Sequence, residues 1–74
     1  MILTDMQQMI LSITASGRRL HCDGSFYFEH IPLDIPAADV DLLYRRGLLE
    51  RGGEEVGGSY YVATDKGCVV IRAE

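Results

Sequence analysis

The spacing of glycine and proline constrains this chain more than any other feature. Glycines at 17, 24, 47, 52, 53, 57, 58 and 67, with prolines at 32 and 36, divide it into short pieces. Gly17 supplies the left-handed stop after an N-terminal apolar run, and Gly47 does the same after a second one. Asp23-Gly24 suits a tight turn between β-prone flanks. "GGEEVGG" at 52–58 reads as a glycine-rich loop between two strands. Such punctuation excludes a long helix or coiled coil and predicts a small mixed α+β unit. With 74 residues the chain makes one domain, 1–74, without a linker or repeat. A domain of this size buries only about 60–65 % of the surface of its unfolded chain, which leaves little room for a deep catalytic cleft.

The helices follow from caps and periodicity. Thr4 and Gln7 form a capping box at the start of a helix over 4–16, with Asp5 favoured by the helix dipole. Met6, Met9, Ile10 and Ile13 recur at helical spacing and predict its buried stripe. A second helix is expected over 36–46, where Pro36 suits a first turn and Val40, Leu43 and Tyr44 make the buried side. Leu48 stands where a Schellman motif folds an apolar residue back on Leu43. Thr64 caps a last helix over 65–72, although Val69, Val70 and Ile71 are β-branched and equally suit a strand.

The strands are shorter. Residues 19–22 and 25–29 predict a hairpin or, in the plainer reading, a single strand over 25–29. "IPLDIP" carries two prolines and is expected to hold no regular element across its length. Residues 48–51 and 59–63 predict a two-stranded wing.

Residues 35–67 carry Leu43, Gly47, Leu48, Leu49, Glu50 and Arg51, then Tyr60 or Tyr61, Thr64 and Gly67. This order resembles the second half of winged helix-turn-helix regulators, in which a recognition helix ends in Leu-x-x-x-Gly-Leu-Leu-Glu-Arg. A two-stranded wing and a Tyr-x-Leu-Thr-x-x-Gly corner follow in that family. The resemblance implies a winged-helix-like domain and, as its usual activity, DNA binding in transcription regulation. The segment before the recognition-like helix, "FYFEHIPLDI", leaves room for one turn of helix at best.

Charge points elsewhere. The chain holds 7 Lys and Arg against 11 Asp and Glu, a net charge of −4. A domain that lives on phosphate contacts usually carries a basic surplus. Here Asp34, Asp39 and Asp41 surround the start of the recognition-like helix, and Glu54 and Glu55 occupy the wing. These five acids, with Tyr27 and Tyr61 as exposed aromatic anchors, make the expected protein-binding surface. The favoured reading is a non-enzymatic interaction module with a protein partner. An acidic inhibitor or adaptor of the kind encoded by phages and mobile elements fits it. The alternative is a DNA-binding regulator that grips duplex DNA through Arg18, Arg19, Arg45, Arg46 and Arg51. Either form is compatible with a homodimer.

Other chemistry is weakly supported. His21, Cys22, His30 and Cys68 are zinc-ligand types, yet His21 and Cys22 as strand neighbours point to opposite faces, and no Cys-x-x-Cys pair exists. His21-Cys22-Asp23 lies along one strand without an oxyanion site, so no catalytic centre is expected. "GGEEVGG" lacks the Gly-Lys-Ser/Thr ending of a phosphate loop. No cofactor or metal is predicted. No stretch approaches the ~20 apolar residues of a membrane span, and no basic start marks a signal peptide. A cytoplasmic protein with free cysteines is the expectation; a Cys22–Cys68 disulfide is the other arrangement.

Overall fold

The computed structural model describes residues 2–73. Its elements run α1 (Asp5–Ala15), β1 (Leu20–Cys22), β2 (Phe26–Phe28), β3 (Ile31–Ile35), α2 (Ala37–Arg45), β4 (Leu49–Glu55), β5 (Gly58–Ala63) and α3 (Asp65–Ala73). The five strands form one antiparallel sheet in the order β3-β2-β1-β5-β4. The inward residues of the strands and the three helices share one core of Leu3, Ile10, Leu11, Leu20, Phe28, Val40, Leu43, Leu48 and Leu49. The protein is therefore a small α+β domain with helices on one side of the sheet. Among the described residues, no helix is long and apolar enough to cross a membrane.

The capping box of α1 forms as expected: the Thr4 N–H donates to Gln7 Oε1 and the Gln7 N–H to Thr4 Oγ1, at 3.0 and 3.2 Å. Its buried stripe differs from the predicted one. Gln7, Ile10, Leu11 and Thr14 are buried, Met6 and Ile13 are partly buried, and Met9 is 45 % exposed. The stripe rotates because Gln7 can be buried at no cost in lost hydrogen bonds. Its carbonyl closes the capping box and its amide donates to Asp39 Oδ1 on α2 at 3.0 Å. The Thr14 hydroxyl is satisfied by the carbonyls of Ile10 and Leu11.

The β1–β2 hairpin forms in the register His21↔Tyr27 and Cys22↔Phe26, around a turn in which Gly24 has φ 77°. The expectation that "IPLDIP" holds no regular element is corrected: Ile31–Ile35 is a strand, paired with β2 through Phe28↔Ile31 and Phe26↔Ile35. β3 lies at the edge of the sheet, where a proline need not interrupt the ladder, and a register shift opposite β2 absorbs the irregularity. Ile31, Leu33 and Ile35 are half-buried while Pro32 and Asp34 are exposed, the alternation of a strand covered on one side.

α2 begins one residue later than predicted, with Pro36 as its N-cap in extended conformation. Its end is the Schellman motif expected from Gly47-Leu48. The Gly47 N–H donates to the Tyr44 carbonyl at 3.1 Å and the Leu48 N–H to the Leu43 carbonyl at 2.9 Å. Gly47 supplies the required positive φ of 75°.

The glycine-rich loop is a second correction. β4 and β5 extend through most of it, leaving only Val56 and Gly57 as the hairpin turn. The register shifts between Arg51 and Gly53, and the Tyr60 ring lies against both Gly52 and Gly53. That ring supplies the cross-strand packing the two glycines lack, so the strand survives them.

α3 settles the ambiguity over 65–72 in favour of helix. Thr64 Oγ1 accepts from the Gly67 N–H at 3.0 Å and donates to the Gly47 carbonyl at 2.6 Å. A methyl group at Gly67 would sit 2.2 Å from the Leu48 carbonyl oxygen, so only glycine lets α3 approach this closely. Cys22 and Cys68 are half-buried free thiols. Gly67→Ala is expected to destabilise the fold by about 1–3 kcal/mol through this backbone clash. Thr64→Ala is expected to cost about 1–2 kcal/mol through the lost cap, both read from urea unfolding by circular dichroism.

Candidate functional site

The sheet offers two surfaces of different chemistry. The first lies beside α2 on the helix side. Tyr61 points towards the core there, not to solvent as expected, because it shares a face with Leu20, its partner in β1. Its ring meets Tyr44 edge-on at 5.8 Å and Phe26 at 6.0 Å. The three rings, with Ala37, Val40 and Asp41, line a groove of about 250 Å³. Tyr44 is 49 % exposed at its rim. Periodicity places Tyr44 on the buried side of α2; it lies half exposed instead, because the groove between it and Phe26 depends on where β2 lies, which periodicity cannot reveal.

The second surface is the opposite face of the sheet, away from the core that the three described helices share with the inward strand residues. His21, Tyr27, Tyr60 and Val62 stand on it, since His21 pairs with both Tyr27 and Tyr60. Tyr27 is 40 % exposed and stacks on His21 at 5.1 Å. His21 Nδ1 donates to Glu55, and its Nε2 lies 3.8 Å from Glu29. Arg19 rests over the Tyr60 ring, 4.2 Å from its centroid.

The candidate acids separate into distinct roles. Asp39 is held by Gln7 and ties α2 to α1. Asp41 pairs with Arg45 at 2.9 Å and Glu54 with Arg51 at 3.2 Å, so each neutralises an arginine of its own element. Glu55 belongs to His21, while Asp34 is exposed on β3. The five arginines do not form one patch: Arg18 and Arg19 border the open face with His21, whereas Arg45 and Arg51 are engaged on the helix side. Lys66 donates to the Arg46 carbonyl and closes the end of α2.

On the helices and the helix-facing side of β4, Asp5, Asp39, Asp41, Glu54 and Asp65 balance Arg45, Arg46, Arg51, Lys66 and Arg72. On the open side and its turns, Asp23, Glu29, Asp34, Glu50 and Glu55 face only Arg18 and Arg19. Among the described residues, the acidic surplus thus belongs to the open face.

No group of three or more histidine, cysteine or carboxylate side chains among the described residues is arranged to hold a metal ion. No protein-family model, curated protein or solved structure matches the chain.

The division of the acids is measurable by double-mutant cycles. Gln7 and Asp39 are expected to couple by about 1.5 kcal/mol, as a half-buried hydrogen bond to a charge does. Asp41 and Arg45, an exposed helical pair, are expected to couple by only about 0.3–0.5 kcal/mol.

Proposed function

We propose that this protein is a non-enzymatic, winged-helix-like interaction module that binds another protein through the aromatic groove beside α2. The strand order β1-β5-β4, with α1 before β1, α2 before β4 and α3 after β5, supports the winged-helix-like reading. In it the β2–β3 hairpin takes the chain position of the helix that normally braces a recognition helix, and β4–β5 is the wing. A cytoplasmic adaptor, or an acidic inhibitor such as mobile elements encode, fits this description.

One observation carries the choice of partner. The helix that would read bases presents Tyr44 and the Asp41–Arg45 ion pair, with Phe26 of β2 and Tyr61 of β5 beside it, where phosphate contacts would require cations. Phe26, Tyr44 and Tyr61 surround the groove, Asp41 lines it, and Arg45 and Arg51 each sit beside a carboxylate at the surface. A partner's apolar side chain entering the groove removes aromatic surface from water, at about 25 cal/mol per Å² buried. Tyrosines in such a setting are common centres of binding energy. A duplex would meet the Asp41 carboxylate instead, and like charge opposes approach.

The deciding measurement pairs two assays. Capture from host extract is expected to yield a complex that survives nuclease, is lost in Tyr44→Ala and persists in the Arg18→Ala, Arg19→Ala double variant. Fluorescence anisotropy at low salt is expected to show no salt-steep affinity for duplex DNA. A steep salt dependence, weakened by those arginine substitutions, would establish the DNA-binding regulator in its place.

A further inference from the structure

The open face of the sheet has a chemistry of its own, independent of the groove beside α2. Two hollows flank the Glu29–His21–Glu55 contacts at its centre. The larger, about 280 Å³, is lined by Arg18 and Arg19 together with His21, Glu29 and Glu55. The smaller, about 140 Å³, is lined by Asp23, Glu29, Glu55 and Tyr27 and contains no cationic side chain of lysine or arginine. The two hollows share His21, Glu29 and Glu55 and differ in what is added: Arg18 and Arg19 before β1, Asp23 and Tyr27 beyond its end.

We infer that this face docks a basic polypeptide segment of a partner, with one lysine or arginine side chain seated in the smaller hollow. Three observations converge on that occupant. First, the acidic surplus of the described residues lies on this side, where His21 holds Glu55 and Arg18 and Arg19 supply the lysine or arginine charge, leaving Asp23, Glu29, Asp34 and Glu50 in excess. Carboxylates gathered with so little counter-charge attract a basic surface and raise its rate of encounter. Second, Tyr27 presents an exposed ring beside those carboxylates, and a guanidinium or ammonium over an aromatic face is stabilised by the ring quadrupole. The same face already holds one of its own guanidiniums in this way, Arg19 on Tyr60. Third, the lining is braced: the hydrogen bond from His21 anchors Glu55, and stacking on His21 anchors Tyr27, so little side-chain freedom is lost on binding.

The same charges exclude other occupants. A second copy of this chain would set acid against acid. A nucleic acid would place phosphates against Glu29, Glu50 and Glu55 with two arginines to offset them. An extended basic segment meets neither difficulty.

The test is a heteronuclear NMR titration with a short acetylated peptide of alternating arginine and serine. Shift changes are expected at His21, Tyr27, Glu29 and Tyr60. Glu29→Lys combined with Glu50→Lys should weaken the peptide about tenfold, and Tyr27→Leu, which leaves the charge unchanged, should weaken it severalfold. Asp65→Lys on α3 changes the net charge without touching this face and should leave affinity within about twofold. Circular dichroism of each variant confirms that it is folded. Equal losses in Asp65→Lys, shift changes confined to the helices, binding of a single-stranded uridine oligonucleotide in preference to the peptide, or self-association through this face would each overturn the proposal.

Discussion

The hydroxyl of Thr64 joins three elements that would otherwise be independent. It donates to the carbonyl of Gly47 at the end of α2 and accepts the N–H of Gly67 in the first turn of α3, while the Thr64 N–H bonds the Leu48 carbonyl. A core this small has few alternatives for fixing the angle between helices. The clip lets α3 approach until its backbone touches that of Leu48, which only the missing side chain at Gly67 allows. With α3 in place, Leu11 of α1 is directed inwards, and the stripe of α1 rotates so that Met9 faces outwards. The bond from Gln7 to Asp39 lets that glutamine be buried in the rotated stripe.

Much of this arrangement is legible in local residue order, because caps and tight turns depend on neighbours. Thr4 with Gln7, Gly47 with Leu48, and Thr64 with Gly67 each satisfy backbone groups within a few residues and form as their patterns imply, whereas the turn expected of Asp23-Gly24 alone also takes in Ser25. The misreadings share a different cause. Pro32 and the pair Gly52-Gly53 argue against strands on local grounds. Both lie in strands because of where the sheet puts them: Pro32 on an edge, and the glycines beneath the ring of Tyr60. Neither condition can be read within a few residues of the chain.

The surfaces show the same division. That acids outnumber bases is plain from composition, and that Tyr27 is exposed follows from strand alternation. Which acids are spent internally is not. Asp39 is bound by a glutamine from another helix, and Glu55 by a histidine from another strand. Tyr61, expected at the surface, lies inwards because pairing with β1 places it opposite Leu20, while Tyr60 stands opposite His21 on the open face.

The amino-acid sequence by itself determined α1 and α2, the capping box, the Schellman end at Gly47 and the net acidity of the chain, because hydrogen bonds over three or four residues and the count of charges need no distant partner. Only the tertiary structure decided that the acidity collects on one face and the aromatic groove on the other. Sheet register assigns each side chain to a face, and a shift of one residue would exchange them. Register in turn depends on contacts between residues far apart in the chain, which no local pattern encodes.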